Sequence, residues 1–168
     1  MPAPPDRPSD RPDRIVGIDL GERRIGVAIG DPARGAALPF ATLSRGKSVA
    51  DDSAALARIV AEQGAAEIVV GLPLNMDGTE GRQAERTRIW AEAIAAATGL
   101  PVSYRDERLT SERAESRTGA SPRGRAGGPP TPAQRAAYRA RVDREAAALI
   151  LQDYLDAMRD DNPQRRPR

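Results

Sequence analysis

The stretch RIVGIDLGERRIGVAIGD, Arg14–Asp31, decides the fold. It holds two short runs rich in Ile and Val, RIVGIDL (Arg14–Leu20) and RIGVAIGD (Arg24–Asp31), parted only by Gly-Glu-Arg, which is the pattern of two antiparallel strands joined by a tight turn. A third strand is expected over Ala37–Leu43, completing a meander. From Ser48 the period changes: Leu56, Ile59 and Val60 recur on one helical face and Gly64 stops the helix. AEIVVGLP (Ala66–Pro73) is a continuous apolar run, as in a strand buried on both faces. Thr79 is expected to cap a helix reaching Thr98, which Gly99 and Pro101 end. PVSYRDER (Pro101–Arg108) reads as another strand, and Thr110 opens a short helix to about Arg117. The last helix starts at Thr131-Pro132, where Gln134 completes a capping box, and carries an apolar stripe through Ala146, Ala147, Ile150, Leu151, Tyr154 and Leu155. The order β-β-β-α-β-α-β-α-α predicts an α/β fold: a mixed five-stranded sheet, an antiparallel meander followed by parallel strands, with helices on both faces.

The rest of the chain sets the limits. Its 168 residues, 39% hydrophobic and 30% charged, suit one soluble domain. That domain is expected over residues 14–158. Residues 1–13 carry five prolines and cannot bury enough apolar surface to offset their ordering entropy, so a disordered tail is expected there and again over 159–168. Thr118–Pro132 holds four Gly and four Pro without periodicity and reads as a mobile loop within the domain. No apolar run reaches the roughly 18 residues a bilayer span needs, and the N-terminus lacks an apolar signal core, so the expectation is a cytoplasmic protein with no membrane contact. No apolar stripe marks an interface, and monomer and homodimer stay open.

The chain has no His and no Cys, which excludes imidazole bases, thiol nucleophiles and nearly all zinc chemistry. Any active site must use carboxylates, hydroxyls, Lys or Arg. Net charge is only +2, but Arg117, Arg123, Arg125, Arg135, Arg139 and Arg141 form a band with no acid between them that can meet phosphates. A general arginine bias accounts for the band equally well, since Lys47 is the only lysine.

Ligands of open α/β sheets sit beyond the carboxyl ends of the strands. Asp19 interrupts the apolar run at the end of the first strand, although an Asx-turn before Gly21 would explain it too. Glu107 ends the fifth strand, unless it is a solvated end paired with Arg105 or Arg108. Asp143 shares the apolar face of the last helix with Ala146, Ala147, Ile150 and Tyr154, where a charge needs either a cation or an N-cap role in a helix that starts late. If the three converge, their mutual repulsion calls for divalent cations, and oxygen-only ligands suit Mg²⁺ or Mn²⁺. Such a site can hydrolyse phosphodiesters without His or Cys. GKS at Gly46–Ser48 is not a phosphate loop, because Ala41 stands where that motif needs glycine, and Gly17, Gly21 and Gly26 are spaced for a hairpin and not for a dinucleotide.

GIDLGERRIGVAIGD, IVVGLPLNMDGTEG, DERLTSERAE and VDREAAALILQDYL, in this order from Gly17 to Leu155, resemble the YqgF (RuvX) family, associated with pre-16S rRNA cleavage and Holliday junction resolution. The resemblance implies an RNase H-like fold and places catalytic, metal-holding acids at Asp19, Glu107 and Asp143. It sets Gly71, Leu72, Pro73, Asp77 and Gly78 in the family's G-L-P…D-G segment, so that Pro73, Asp77 and Gly78 border the substrate, and makes Arg24 and Arg108 phosphate contacts or surface ion-pair partners. Thr118–Pro132 is longer than the family's usual basic connection, and Arg123 and Arg125 within it are candidate substrate contacts. The implied function is a metal-dependent nuclease that processes the 5′ end of precursor 16S rRNA, alone or in the pre-ribosomal small subunit. Branched DNA is the alternative substrate, and a non-catalytic ribosome-assembly factor the alternative role. A sugar-kinase or actin-type ATP site, suggested by Asp19–Gly26, would need a second domain for which 168 residues leave no room.

Overall fold

The computed structural model describes residues 13–108 and 110–161. Its centre is one five-stranded sheet in the order β3-β2-β1-β4-β5. β1 (Arg14–Leu20), β2 (Arg24–Asp31) and β3 (Ala36–Ser44) form the expected antiparallel meander. β4 (Ala65–Leu72) joins β1 in parallel, and β5 (Val102–Asp106) joins β4 in parallel. The carboxyl ends of β1, β4 and β5 therefore share one edge of the sheet.

Local chemistry sets most boundaries. Ser48 opens α1 (Val49–Gln63) with a reciprocal capping box to Asp51, and Gly64, at φ 62°, closes it in the left-handed region that glycine enters without steric cost. α2 (Arg82–Thr98) ends at Gly99 in the same way. Its start corrects the expectation for Thr79: the N-cap is Gly81, two residues later, which offers no side-chain bond. Thr79 is occupied elsewhere, its N–H (2.9 Å) and hydroxyl (2.6 Å) both donating to Asp77 Oδ1 within a turn closed by the Leu74–Glu80 bridge. α3 (Thr110–Thr118) leads into the Gly/Pro segment, which contains a short 3₁₀ turn, Arg125–Gly127, and folds on itself through Gly124 N–H donating to the Gly128 carbonyl at 2.9 Å. The expected Thr131–Gln134 box then starts α4 (Pro132–Asp161), with Gln134 N–H donating to Thr131 Oγ1 at 3.1 Å. This 30-residue helix is about 45 Å long at 1.5 Å per residue. Asp143 lies well inside it, so the N-cap explanation for that carboxylate fails. The helix runs to Asp161, past the domain end expected at 158; residues 1–12 and 162–168 of the expected tails lie outside the described residues.

Two cores flank the sheet. On one face Val16, Ile18, Ile25, Val27, Ile68 and Val70 pack with Leu56, Ile59 and Val60 of α1 and Trp90, Ala91 and Ile94 of α2. Asp52 is buried here at 2% exposure, yet fully engaged: it accepts from Trp90 Nε1 (3.0 Å), Arg45 Nε (2.7 Å) and Gly46 N–H (2.7 Å). Burial pushes its pKa up, but these hydrogen bonds and the Arg45 charge outweigh burial and hold it below the ordinary value. On the other face α4 packs Ala147, Ala148, Ile150, Leu151 and Leu155 against Ile15, Ala28 and Val69, and α3 adds Ala114 beside Ala146 and Leu149. No described helix is long and apolar enough to cross a membrane. At the edge strand β3, Leu38 is 68% and Phe40 43% exposed.

Candidate active site

Asp19 and Gly26 are cross-strand partners on β1 and β2, on the sheet face that α4 covers. Glycine is required at this crossing: a Cβ on Gly26 would stand 2.0 Å from the Asp143 carbonyl oxygen. With hydrogen in that place, α4 rests on the sheet at Asp143, and the carboxylate of the helix arrives beside that of the strand. Gly17 and Gly30 extend the same close approach, since a Cβ on either would fall within 3.0 Å of Leu151 (2.6 and 2.9 Å). The glycine spacing does suit a hairpin, whose turn Gly21 N–H closes on the Arg24 carbonyl at 2.9 Å. Gly17 and Gly26 serve helix packing as well, a use that became visible only once a helix was placed above them.

Gly71 makes the second opening. It lies on β4, between the strands that bear Asp19 and Glu107, and a Cβ there would meet Glu107 Oε2 at 2.4 Å. The Glu107 side chain thus crosses the middle strand toward Asp19. Two half-buried carboxyls side by side resist being charged together without compensation. Burial, then the Asp19 charge, pushes Glu107 up to about 8; burial, then the Asp143 charge, pushes Asp19 up to about 6, with a hydrogen bond from Glu107 partly offsetting the rise. With both groups ionised neither could donate, and Glu107 Oε2 is buried with no hydrogen-bond partner. A shared proton held by Glu107, or a bound cation, satisfies that oxygen.

Asp143, the third acid, is turned toward Arg24, whose Nε donates to Asp143 Oδ2 in a close ion pair. Among the described residues no three carboxylates stand close enough together to hold one ion. The donor set nevertheless fits a hard divalent cation: all its ligands would be carboxylate oxygens, one of them buried and unpartnered. Asp19 and Glu107 lie beside each other, and Asp143 stands alongside, held by Arg24.

The remaining expected residues divide into two groups. Pro73, Asp77, Gly78 and Arg108 come together beyond β4 and β5. Arg108 pairs with Asp106 at 2.6 Å and donates to the Met76 carbonyl at 3.2 Å, which ties the connection after β5 to the turn at Asp77. The carboxylate that Arg108 neutralises is therefore Asp106, and neither Arg105 nor Arg108 pairs with Glu107. Arg123 is exposed on the segment between α3 and α4; the side chain of Arg125 lies outside the described residues. Arg24, Arg135, Tyr138, Arg139 and Asp143 line a cleft of about 420 Å³ next to the acids. A larger cavity, about 610 Å³, opens at the opposite end of the sheet between Asp13, Ile15, Glu67 and Met158. Its inner carboxylate, Glu67, already accepts hydrogen bonds from Ser103 and Tyr154. Gly26 and Gly71 are the site residues that sequence reasoning missed as such; the signal was a small residue at the carboxyl end of an apolar strand, which gains meaning only from what crosses it.

Comparison with known proteins places the chain in a family. The model of the RuvX family, described as Holliday junction resolvase, matches residues 13–157. A protein of Acidiphilium cryptum named "Putative pre-16S rRNA nuclease" is 40% identical over 151 residues, covering 90% of this chain and 89% of its own. A protein of the same name from Anaeromyxobacter dehalogenans is 45% identical over 143 residues, covering 85% and 96%. Among solved structures, Thermus thermophilus RuvC in complex with a Holliday junction substrate aligns with TM-score 0.49 and 15% identity over 86% of this chain and 94% of its own. With the family model spanning the whole described domain and relatives this similar along nearly their full lengths, the chain belongs to the RuvX family of nucleases.

Proposed function

We propose that the protein is a Mg²⁺- or Mn²⁺-dependent phosphodiesterase that processes the 5′ end of precursor 16S rRNA, free or in the pre-ribosomal small subunit, in the cytoplasm. The observation that carries this reading is the half-buried Asp19–Glu107 carboxyl pair, with its buried and unpartnered Glu107 Oε2, at the sheet edge where Asp143 arrives. Asp19, Glu107 and Asp143 would hold the metal, which supplies the positive charge needed to bring a phosphodiester against three carboxylates and to stabilise the charge developing on it. The protein's own contribution is placement. Gly26 and Gly71 let the acids approach, and the Asp19–Glu107 pair can hold or release one proton near neutral pH. Pro73, Asp77, Gly78 and Arg108 would border the substrate on one side. Arg24, Arg123 and Arg125 would offset the repulsion between RNA and the acids on the other.

The substrate comes from the named relatives. Branched DNA is the second reading, favoured by the description of the matching family model. Incubating the purified protein with precursor 16S rRNA and with a four-way DNA junction, in Mg²⁺, Mn²⁺ or EDTA, beside an Asp19→Asn control, tests both. Metal-dependent cleavage of the RNA, lost in the variant, is expected; cleavage of the junction alone would transfer the activity to DNA, and salt-sensitive binding without cleavage of either would leave an assembly factor. Sedimentation of the same sample distinguishes monomer from homodimer.

A further inference from the structure

The cleft beside the acids has an uneven lining. Arg135, Arg139 and Asp143 follow one another at four-residue intervals along α4, so they form a row that ends at the metal-site carboxylate. The stretch from Thr131 to Arg139 leaves every residue but Tyr138 exposed, and neither arginine of the row has an acidic partner among the described residues. Glu115 is the other acid of the cleft, and Tyr138 is fixed by donating its hydroxyl to the Gly119 carbonyl at 3.2 Å. Arg24 closes the cleft at the end nearest the sheet, where it spends its charge on Asp143. Both members of that pair keep solvent access, with side-chain exposures of 31% and 22%.

We propose that this cleft is a phosphodiester site coupled to the metal site through Arg24: a backbone phosphate seated between Arg135 and Arg139 draws Arg24 off Asp143, and the freed carboxylate joins Asp19 and Glu107. In the structure Arg24 holds Asp143 as a pair, and among the described residues no three acids stand close enough together to hold one ion. A phosphate at the cleft offers Arg24 an equivalent charged acceptor while leaving Asp143 a position on the metal, so phosphate and metal each strengthen the other's binding. Arg24 is then a positioning residue that keeps the metal site from assembling before the substrate is present. The inference rests on the metal-dependent reading above and adds an order of assembly to it.

Titration of the full chain with Mn²⁺ alone, reading free Mn²⁺ by electron paramagnetic resonance, tests it without any turnover. Arg24→Ala should bind Mn²⁺ about tenfold more tightly than the wild type, within the usual range of coupling between linked sites. Removing a nearby cation would favour metal binding even without a latch, so the decisive comparison is made with Asp143→Asn. There the gain from Arg24→Ala should vanish. A short phosphorothioate RNA that resists cleavage should tighten Mn²⁺ binding in the wild type, but not in Arg24→Ala or in Arg135→Ala/Arg139→Ala. An undiminished gain in the Asp143→Asn background, or no gain at all from Arg24→Ala, would overturn the coupling. Mn²⁺ binding unchanged in Asp19→Asn would instead remove the metal-site reading on which the coupling rests, so the two failures are told apart by different variants.

Discussion

The two faces of the sheet are built from different residues for different purposes. Toward α1 and α2 the strands present Val16, Ile18, Ile25, Val27, Ile68 and Val70, large side chains that keep the helices at ordinary packing distance and exclude water. Toward α4 the same strands present Gly17, Gly26, Gly30 and Gly71 beside Ile15, Ala28 and Val69. That face gives up apolar contact area and gains proximity, since α4 comes down until its backbone touches β2 at Gly26. Only at such a distance does a carboxylate on a helix stand beside one on a strand. The bulky face holds the domain together, and the glycine face brings charged groups to places they would not occupy on packing grounds alone.

Exchanging the roles of the two faces should separate activity from stability. On the proposed function, Asp19→Asn removes a carboxylate that would hold the metal, and since metals contribute several kcal/mol to such transition states, cleavage should fall by about 10³-fold or more. Because Asp19 is a desolvated carboxyl under repulsion, the melting temperature should hold or rise, as calorimetry would show. Ile68→Ala on the other face should do the reverse: a loss of about 2–5 kcal/mol, read as a lower urea midpoint, with turnover per folded molecule retained. Loss of turnover in folded Ile68→Ala protein would contradict the division.

Gly71→Ala tests whether the glycine face acts through proximity. The new methyl would occupy the path of Glu107 across β4, and Ile150 Cδ1, 2.5 Å from that Cβ position, must also give way. A displacement on the order of 1 Å at a catalytic group costs roughly 10²-fold in rate. The expected result is that loss, with Mn²⁺ affinity weakened in parallel. Unaltered turnover would mean that Glu107 reaches its position by another route.

The strand and helix order was legible because its elements carried local signals: Ile and Val runs for β1, β2 and β4, the change of period at Ser48, the Thr131 capping box, and Gly64 and Gly99 as stops. The failure at Thr79 shows where local signals compete. One hydroxyl can cap a helix or close a turn, and Thr79 Oγ1 accepts from Asn75 Nδ2 and donates to Asp77 within the turn. Asp19 and Asp143 could be picked out because each interrupts an apolar pattern, and Glu107 because it stands at a strand end. Their convergence could be raised as a possibility from strand ends and resemblance, but the close approaches that shape it depend on Gly26 and Gly71, whose importance lies in what crosses them. Nor does any local pattern connect Arg24 to Asp143, which lie 119 residues apart.

A smaller effect, on stability, follows from the titration of the acidic pair. Glu107, ordinarily near 4.5, is raised to about 8 in the folded chain, and Asp19, ordinarily near 3.8, to about 6. Between pH 4 and 8 the folded protein therefore holds protons that the unfolded chain has released, and its stability must fall as pH rises through that window. With solvent reaching part of the site, the loss should be on the order of 2 kcal/mol, several degrees in melting temperature. In EDTA, melting curves from pH 5 to pH 8 should show this decline for the wild type and a shallower one for Glu107→Gln, which has no proton to lose. Saturating Mg²⁺ should also shallow it, because a cation that displaces the shared proton stabilises the folded state most where that proton is already leaving. A wild-type curve that stays flat in EDTA would show that Asp19 and Glu107 do not share their burial, and the asymmetry between the two faces would then rest on packing alone.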